Sequence, residues 1–260
     1  MKPFYVITRK DKQSKILGDR IVQLLTNSGW QFNEENPYLI ISVGGDGTLL
    51  HAVHHYIDRI DQVVFVGIHT GTLGFFTDYA ESEIDNLVYD LTKKELTIER
   101  IPLLKATRIN QNKHEDLYAL NEIRVENIIK TQRLEVYLNQ DYLQTFRGNG
   151  LCISGQAGST AYNRSLHGAV IMPGIDIMQI TEVSGIHHKA SKSLGSPLVV
   201  SSDTYVRLKS ESFNDSILCY DHLHVRLDGI EEVTISSGEA YVQFARLKPI
   251  SYVTRLKSLF

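Results

Sequence analysis

Long apolar runs are missing from this sequence. Nowhere in its 260 residues does an uninterrupted apolar stretch reach the ~18 to 20 residues that a bilayer span requires, so no membrane helix is expected. A strong excess of one charge sign is missing too: 27 Lys and Arg against 30 Asp and Glu leave a formal charge of -3. That balance argues against a nucleic-acid binder of the basic-stripe kind and against a polybasic membrane surface. Cysteine is scarce. Cys152 and Cys219 are the two in the chain, and both lie in apolar segments, where buried thiols are expected rather than a disulfide. The stretch from Met1 to Lys10 turns charged again too soon for a signal peptide, which makes a cytoplasmic protein the expectation. Internal repeats, low-complexity runs and flexible linkers are also lacking.

What is present is ordinary globular composition, 42% hydrophobic and 22% charged, in a chain long enough for one large domain or two modest ones. Phe4–Thr8 reads as a buried strand. Residues 11–28 follow as a helix with Ile16, Leu17, Ile21, Val22, Leu24 and Leu25 on one face. Tyr38–Val43 is a second strand, followed by a helix from about Thr48 to Ile57. Val63–Ile68 is a third strand and ends in a glycine loop, His69–Phe76. A helix over about 81–91 follows, with Ile84, Leu87, Val88 and Leu91 on a face. This alternation predicts an open, mostly parallel α/β sheet whose ligands gather beyond the strand carboxyl ends.

From about Glu99 the texture changes to short strand-like runs: Ile101–Ile109, Leu117–Val125, Leu134–Leu138, Phe146–Leu151 running into Ser154, and six more between Pro197 and Phe244. One helix interrupts them, from near Thr160 towards His167 or Val170. A β-rich, sandwich-like second domain is expected over 101–244. The first domain is then 1–100, with a tail over 245–260 that includes Phe260 and forms a helix packing back on it.

The densest signal is Gly44-Gly45-Asp46-Gly47-Thr48, directly after an apolar strand and before a helix. Glycines at such a junction let backbone N–H groups approach an anion, and the helix start adds partial positive charge. The same residues would also make a tight turn with Asp46 or Thr48 as helix cap. A carboxylate inside a phosphate cradle makes chemical sense if it handles a metal ion or a reacting hydroxyl. The turn is neither a Walker A loop nor Gly-x-Gly-x-x-Gly.

Two further constellations stand in the β-rich part. Asn121-Glu122, in a strand-like segment, offers a donor, an acceptor and a carboxylate that together can grip a ribose diol. Phe146-Arg147-Gly148-Asn149-Gly150 precedes Gly158-Ser159-Thr160-Ala161-Tyr162-Asn163, a helix entry of small and hydroxylated residues, where Tyr162 can stack on a base. His51, His54 and His55 have helical metal spacing without a completing carboxylate or cysteine, and the adjacent pair His187-His188 is equally unsupported, so no metal ligand is assigned. Asp221-His222 has the form of an oriented imidazole but lacks a nucleophile.

Taken in order, Gly44–Thr48, Asn121-Glu122 and Gly158–Asn163 resemble the NAD kinase family, most of all its compact Gram-positive bacterial form. The likeness spans nearly the whole chain. It implies transfer of a phosphoryl group from ATP, or from another nucleoside triphosphate or polyphosphate, to the 2′-hydroxyl of the adenosine ribose of NAD. It further implies Mg²⁺ or another divalent cation, without a tight structural site, and a homotetramer with sites shared between subunits; nucleic acid and membrane are not expected partners. Carried onto this sequence, the resemblance makes Asp46 the catalytic base. Binding of NAD and ATP falls to Gly45, Gly47, Leu50, Phe75, Asn121, Glu122, Arg147, Asn149, Thr160, Ala161, Tyr162, Asn163, Ser165, Ser184 and His222.

The chain departs from the family pattern twice. Asn149 stands where the family usually has Asp, and Gly155-Gln156-Ala157 replaces Thr-Pro-Thr or Thr-Pro-Ser. The first drops a charge and the second a rigid turn and a hydroxyl. Competing readings are a catalytically weak NAD-binding sensor and a related lipid kinase of the diacylglycerol kinase type.

Overall fold

A computed structural model describes residues 2–111, 113–187, 193–211 and 213–259. His188 and Phe260, named above, lie outside them. The first elements are β1 (Pro3–Thr8), α1 (Lys12–Asn27), β2 (Gln31–Phe32), β3 (Leu39–Gly44), α2 (Asp46–His55), β4 (Val64–His69), β5 (Tyr79–Ala80) and α3 (Ile84–Lys93). Strands β6 (Thr97–Asn110), β7 (Lys113–Ala119), β8 (Glu122–Glu126), β9 (Gln132–Leu138), β10 (Asp141–Gly148) and β11 (Gly150–Gly155) follow. After them come α4 (Tyr162–Ser165), β12 (Ile177–Val183), β13 (Leu198–Ser201), β14 (Val206–Lys209), β15 (Ile217–Tyr220), β16 (Leu223–Arg226), β17 (Glu232–Arg246) and α5 (Tyr252–Lys257). They divide into two units: residues up to Ile101 together with those from Tyr241 on, and Pro102–Ala240.

In the first unit, β2, β1, β3 and β4 pair in parallel in that order, and β4 also pairs in parallel with β5 and with Gln243-Phe244 of β17. All six residues of β3 are buried, as an apolar strand covered on both faces requires. Helix α1 starts where the Asp11 carboxylate caps the Ser14 N–H at 2.9 Å, and it buries Ser14, Gly18, Ile21 and Leu25. Ile16, expected on that face, is 57% exposed, because the buried stripe follows 14, 18, 21 and 25. Full burial of side chains such as Phe4, Ile21 and Leu39 contributes about 1.5–3 kcal/mol each.

In the second unit, one six-stranded sheet runs β13-β12-β11-β8-β15-β16, with antiparallel pairing throughout. A second layer pairs β10, β9, β14 and the first part of β17, with the β6–β7 hairpin also on β17. Ile123, Val125 and Leu151 from the first sheet share one core with Val136, Leu208 and Val233 from the other layer, which makes the sandwich.

Several sequence expectations need correction. Leu117–Val125 is two strands, β7 and β8, broken at Leu120-Asn121. Phe146–Leu151 likewise breaks at Asn149. The helix expected from near Thr160 towards His167 or Val170 is a 3₁₀ turn, Ala157–Thr160, and a four-residue α4. The last two of the six runs expected between Pro197 and Phe244, at Val233–Ser236 and Tyr241–Phe244, belong to one strand, β17, and β12 falls where the sequence suggested no strand.

Candidate functional site

Asp46 is the first residue of α2 and not a turn residue, because Thr48 and Leu49 already donate to the Gly45 carbonyl at 2.9 and 3.2 Å. Gly45 is the N-cap, and no side chain caps the start of α2. The first N–H groups of the helix are therefore left for another acceptor. The Asp46 carboxylate turns away from its own helix. Oδ2 accepts the Phe75 N–H at 2.8 Å and Oδ1 the Phe76 N–H at 3.0 Å. The second glycine loop thus grips the carboxylate of the first, a contact no local pattern announces.

Burial pushes the Asp46 pKa up, while those two N–H groups and the positive charges of Arg255 and Arg246 pull against it. Around it, Gly47 is exposed and Leu50 half-buried. The Phe75 ring leans on Tyr252 with centroids 5.7 Å apart. On the remaining face of α2, His51 and His55 are exposed and His54 half-buried.

The second unit holds a separate polar cluster. Between β7 and β8 the chain turns at Leu120-Asn121, and the Asp221 carboxylate fixes that turn. It accepts the Leu120 N–H at 2.9 Å and the Asn121 N–H at 2.7 Å, and the Asp221 N–H returns a bond to the Glu122 carbonyl at 3.1 Å. Asp221 adopts the left-handed conformation, φ 53°. Gly158 backs the same turn: a Cβ there would sit 1.8 Å from the Asn121 carbonyl oxygen.

Glu122 is buried, and its pKa is pushed up to about 7, first by burial and next by the Asp221 charge; Arg124 and the Tyr162 N–H act in the opposite sense. Glu122, Arg124 and Glu126 share one face of β8. The guanidinium lies 4.0 Å from Glu122 and 3.1 Å from Glu126, and 4.3 Å from the centre of the Tyr162 ring. Asn121 Oδ1 and Glu122 Oε2 are buried with no hydrogen-bond partner among the described residues. Leaving such atoms unpaired costs about 1–3 kcal/mol each, so a hydroxyl-rich ligand has something to gain here.

The other predicted positions divide. Arg147, Asn149 and Ser184 come together: the Asn149 N–H reaches the Val183 carbonyl at 2.9 Å, the Ile186 N–H the Arg147 carbonyl at 2.8 Å, and Gly148 packs on the Ser184 carbonyl. Gly150 next to them packs on Glu126, whose carboxylate takes the Tyr162 hydroxyl at 3.4 Å. Thr160 and Ala161 lie in the turn leading to Tyr162, half-buried. Asn163 faces inward, fully buried, with its Oδ1 on the Thr181 hydroxyl at 2.7 Å. Ser165 and His222 are exposed, the latter on the turn that begins with Asp221. Cys152 and Cys219 are buried free thiols, paired across the sheet with Arg124 from opposite sides.

Residues 6–96 match the family model of the ATP-NAD kinase N-terminal domain, and residues 120–247 that of the C-terminal domain. An NAD kinase of Latilactobacillus sakei is 35% identical over 98% of this chain and 96% of its own. The chain belongs to the NAD kinase family. NAD kinase 1 of Bacillus cereus, also 35% identical, covers 99% of this chain and 98% of that protein, so the Gram-positive likeness extends end to end. Among solved structures, yeast NADH kinase complexed with NADH has a TM-score of 0.84 at 16% identity, covering 100% of this chain and 87% of that one. An Archaeoglobus fulgidus NAD kinase in complex with ATP has 0.78 at 24% identity, covering 99% of each chain. Both share the fold: an α/β domain followed by a β-rich one.

Among the described residues, no three His, Cys, Asp or Glu side chains converge on a possible metal position. Asp46 has arginines as its charged neighbours and already accepts two N–H bonds. The described donor set therefore does not fit a protein-held divalent centre.

Proposed function

We propose that the protein transfers the terminal phosphoryl group of ATP, or of another nucleoside triphosphate or polyphosphate, to the 2′-hydroxyl of the adenosine ribose of NAD, giving NADP. The observation that carries this reading is the Asp46 carboxylate: partly buried, raised in pKa, and aimed by two backbone N–H groups beside an uncapped helix start. Phosphoryl transfer asks a protein for alignment, charge compensation and a proton acceptor for the attacking hydroxyl.

Asp46 takes the hydroxyl proton as the ribose oxygen bonds to phosphorus, and the bond from that phosphorus to the leaving nucleoside diphosphate breaks. Gly45, Gly47 and Leu50 shape the phosphate side, and Phe75 packs on adenine. Asn121 and Glu122 take ribose hydroxyls with their unpartnered buried oxygens. Tyr162 with Thr160 and Ala161 borders the bases, and Asn163 acts by holding that segment. Arg147, Asn149, Ser184, Ser165 and His222 complete the dinucleotide contacts. A divalent cation enters on the donor's phosphates, as part of the substrate. A homotetramer in the cytoplasm is part of the same proposal.

The test is to incubate the pure protein with NAD, ATP and Mg²⁺ and to follow NADP with an NADP-specific dehydrogenase. NADP should form, and Asp46→Asn should lower kcat by about 10²–10⁴-fold. No NADP from the parent, or parental activity in the variant, would sink the mechanism. Binding of NAD without turnover would instead identify a sensor, the reading that Asn149 favours.

A further inference from the structure

Helix α5 has six residues, and the side chain it buries is an arginine, Arg255, 5% exposed. Val253 beside it is 53% exposed. A tail whose role was to cover apolar surface would bury its apolar residues, and arginine is almost never buried unless paired. Arg255 is paired three times. Nη1 donates to the Gly74 carbonyl at 2.9 Å and to the Thr77 carbonyl at 2.5 Å, and Nη2 donates to the Asp78 carboxylate.

Asp78 does not need Arg255 for neutralisation, because Arg246 already meets it at 3.0 Å. What Arg255 adds is its grip on Gly74 and Thr77. Those two residues bracket Phe75 and Phe76, whose N–H groups hold Asp46. Thr77 closes the segment from within by accepting the Gly74 N–H at 3.0 Å. A buried ion pair by itself contributes little net stability over a well-packed apolar side chain, so the distinctive return of this arrangement is geometric.

We propose that Arg255 is the positioning residue for Asp46: from α5 its planar fork fixes the Gly74–Asp78 segment and thereby aims the carboxylate. This rests on the reading of Asp46 as the base. Lysine cannot replace the fork, because its ammonium is a point charge on a flexible stem.

The experiment is a double-mutant cycle on kcat in the full chain, with Asp46→Asn, Arg255→Met and the pair. Residues acting through one another give non-additive effects. Misplacing a reacting group by about an ångström can cost on the order of 10²-fold. Arg255→Met should therefore lower kcat by about 10- to 100-fold in the parent, yet by less than about threefold in the Asp46→Asn background. Hydrogen exchange over residues 74–78 should rise. If Arg255→Met does not fold, Arg255→Lys takes its place in the cycle, keeping the charge without the fork. Equal fold-losses in both backgrounds, or parental kcat in a folded Arg255 variant, would overturn the proposal. Parental activity in Asp46→Asn would remove the base reading itself, a different result from an additive cycle.

Discussion

Gly74 and Asp46 touch so closely that a methyl group on Gly74 would lie 2.2 Å from Asp46 Oδ1. The glycine is needed there for space, since any side chain would displace the carboxylate or break its two N–H bonds. Gly74→Ala should leave the protein folded and lower kcat by about 10²-fold, close to the effect of removing the base. Steady-state kinetics alongside a thermal melt would check this. Unchanged kcat would show that the carboxylate has freedom to move.

Asp221 predicts a sharper chemical asymmetry. Its two oxygens accept two backbone N–H groups, whereas an asparagine can accept with only one and turns an NH₂ towards the other. Asp221→Asn should loosen the Asn121-Glu122 turn by about 1–3 kcal/mol and weaken NAD binding more than it lowers kcat. The substitution also removes the negative charge that helps raise the Glu122 pKa, so that group should titrate at lower pH. Calorimetric titration with NAD over a pH series reads both effects.

Glu122 sets a pH dependence whose sign can be worked out. Its folded pKa of about 7 lies above the ordinary 4.5, so between those values the folded protein binds more protons than the unfolded chain. Stability from this group is fully present below about pH 4.5 and is lost as pH rises through 7, by up to about 3 kcal/mol. Affinity for NAD should move the opposite way, because the ionised carboxylate is the better acceptor for a ribose hydroxyl. Glu122→Gln should flatten both trends in denaturant melts and binding curves recorded from pH 5 to 8.

Asn149 is exposed, while its backbone is pinned by Val183 and Asn127. A change of side chain there should leave the fold intact. Asn149→Asp should shift selectivity towards oxidised NAD over NADH by about 2- to 5-fold, the worth of an exposed charge pair, since only the oxidised ring is cationic. Competition between the two dinucleotides would measure it.

Much of the first unit was legible from sequence. The short, continuous apolar runs of β3 and β4, each ending in glycine-containing segments, read as buried strands, and both are strands with nearly every residue buried. The Asn121-Glu122 motif was legible as residue chemistry, but its break in the strand was not. That break depends on Asp221, 100 positions away from Asn121, and on a contact with Gly158. Local patterns carry no information about such partners. Arg255 was invisible for a related reason: an arginine in a short amphipathic tail looks solvent-exposed until the carbonyls it reaches are known. The over-long helix after Thr160 has a local cause: His167 takes the left-handed conformation, φ 62°, and the Gly168 N–H turns back to the Asn163 carbonyl at 2.9 Å, which closes the helix.

The bond from Arg255 to Gly74 spans 181 positions of sequence. As the chain grows from its N-terminus, α2 and the loop that grips Asp46 emerge long before the guanidinium that braces them. At ribosomal speeds of about 5–20 residues per second, that interval is roughly 10–40 s. During it the whole β-rich unit is made. The nascent chain therefore carries both glycine loops and the Asn121-Glu122 turn well ahead of the guanidinium that braces Gly74 and Thr77, and the finished geometry around Asp46 arrives as a late event of synthesis.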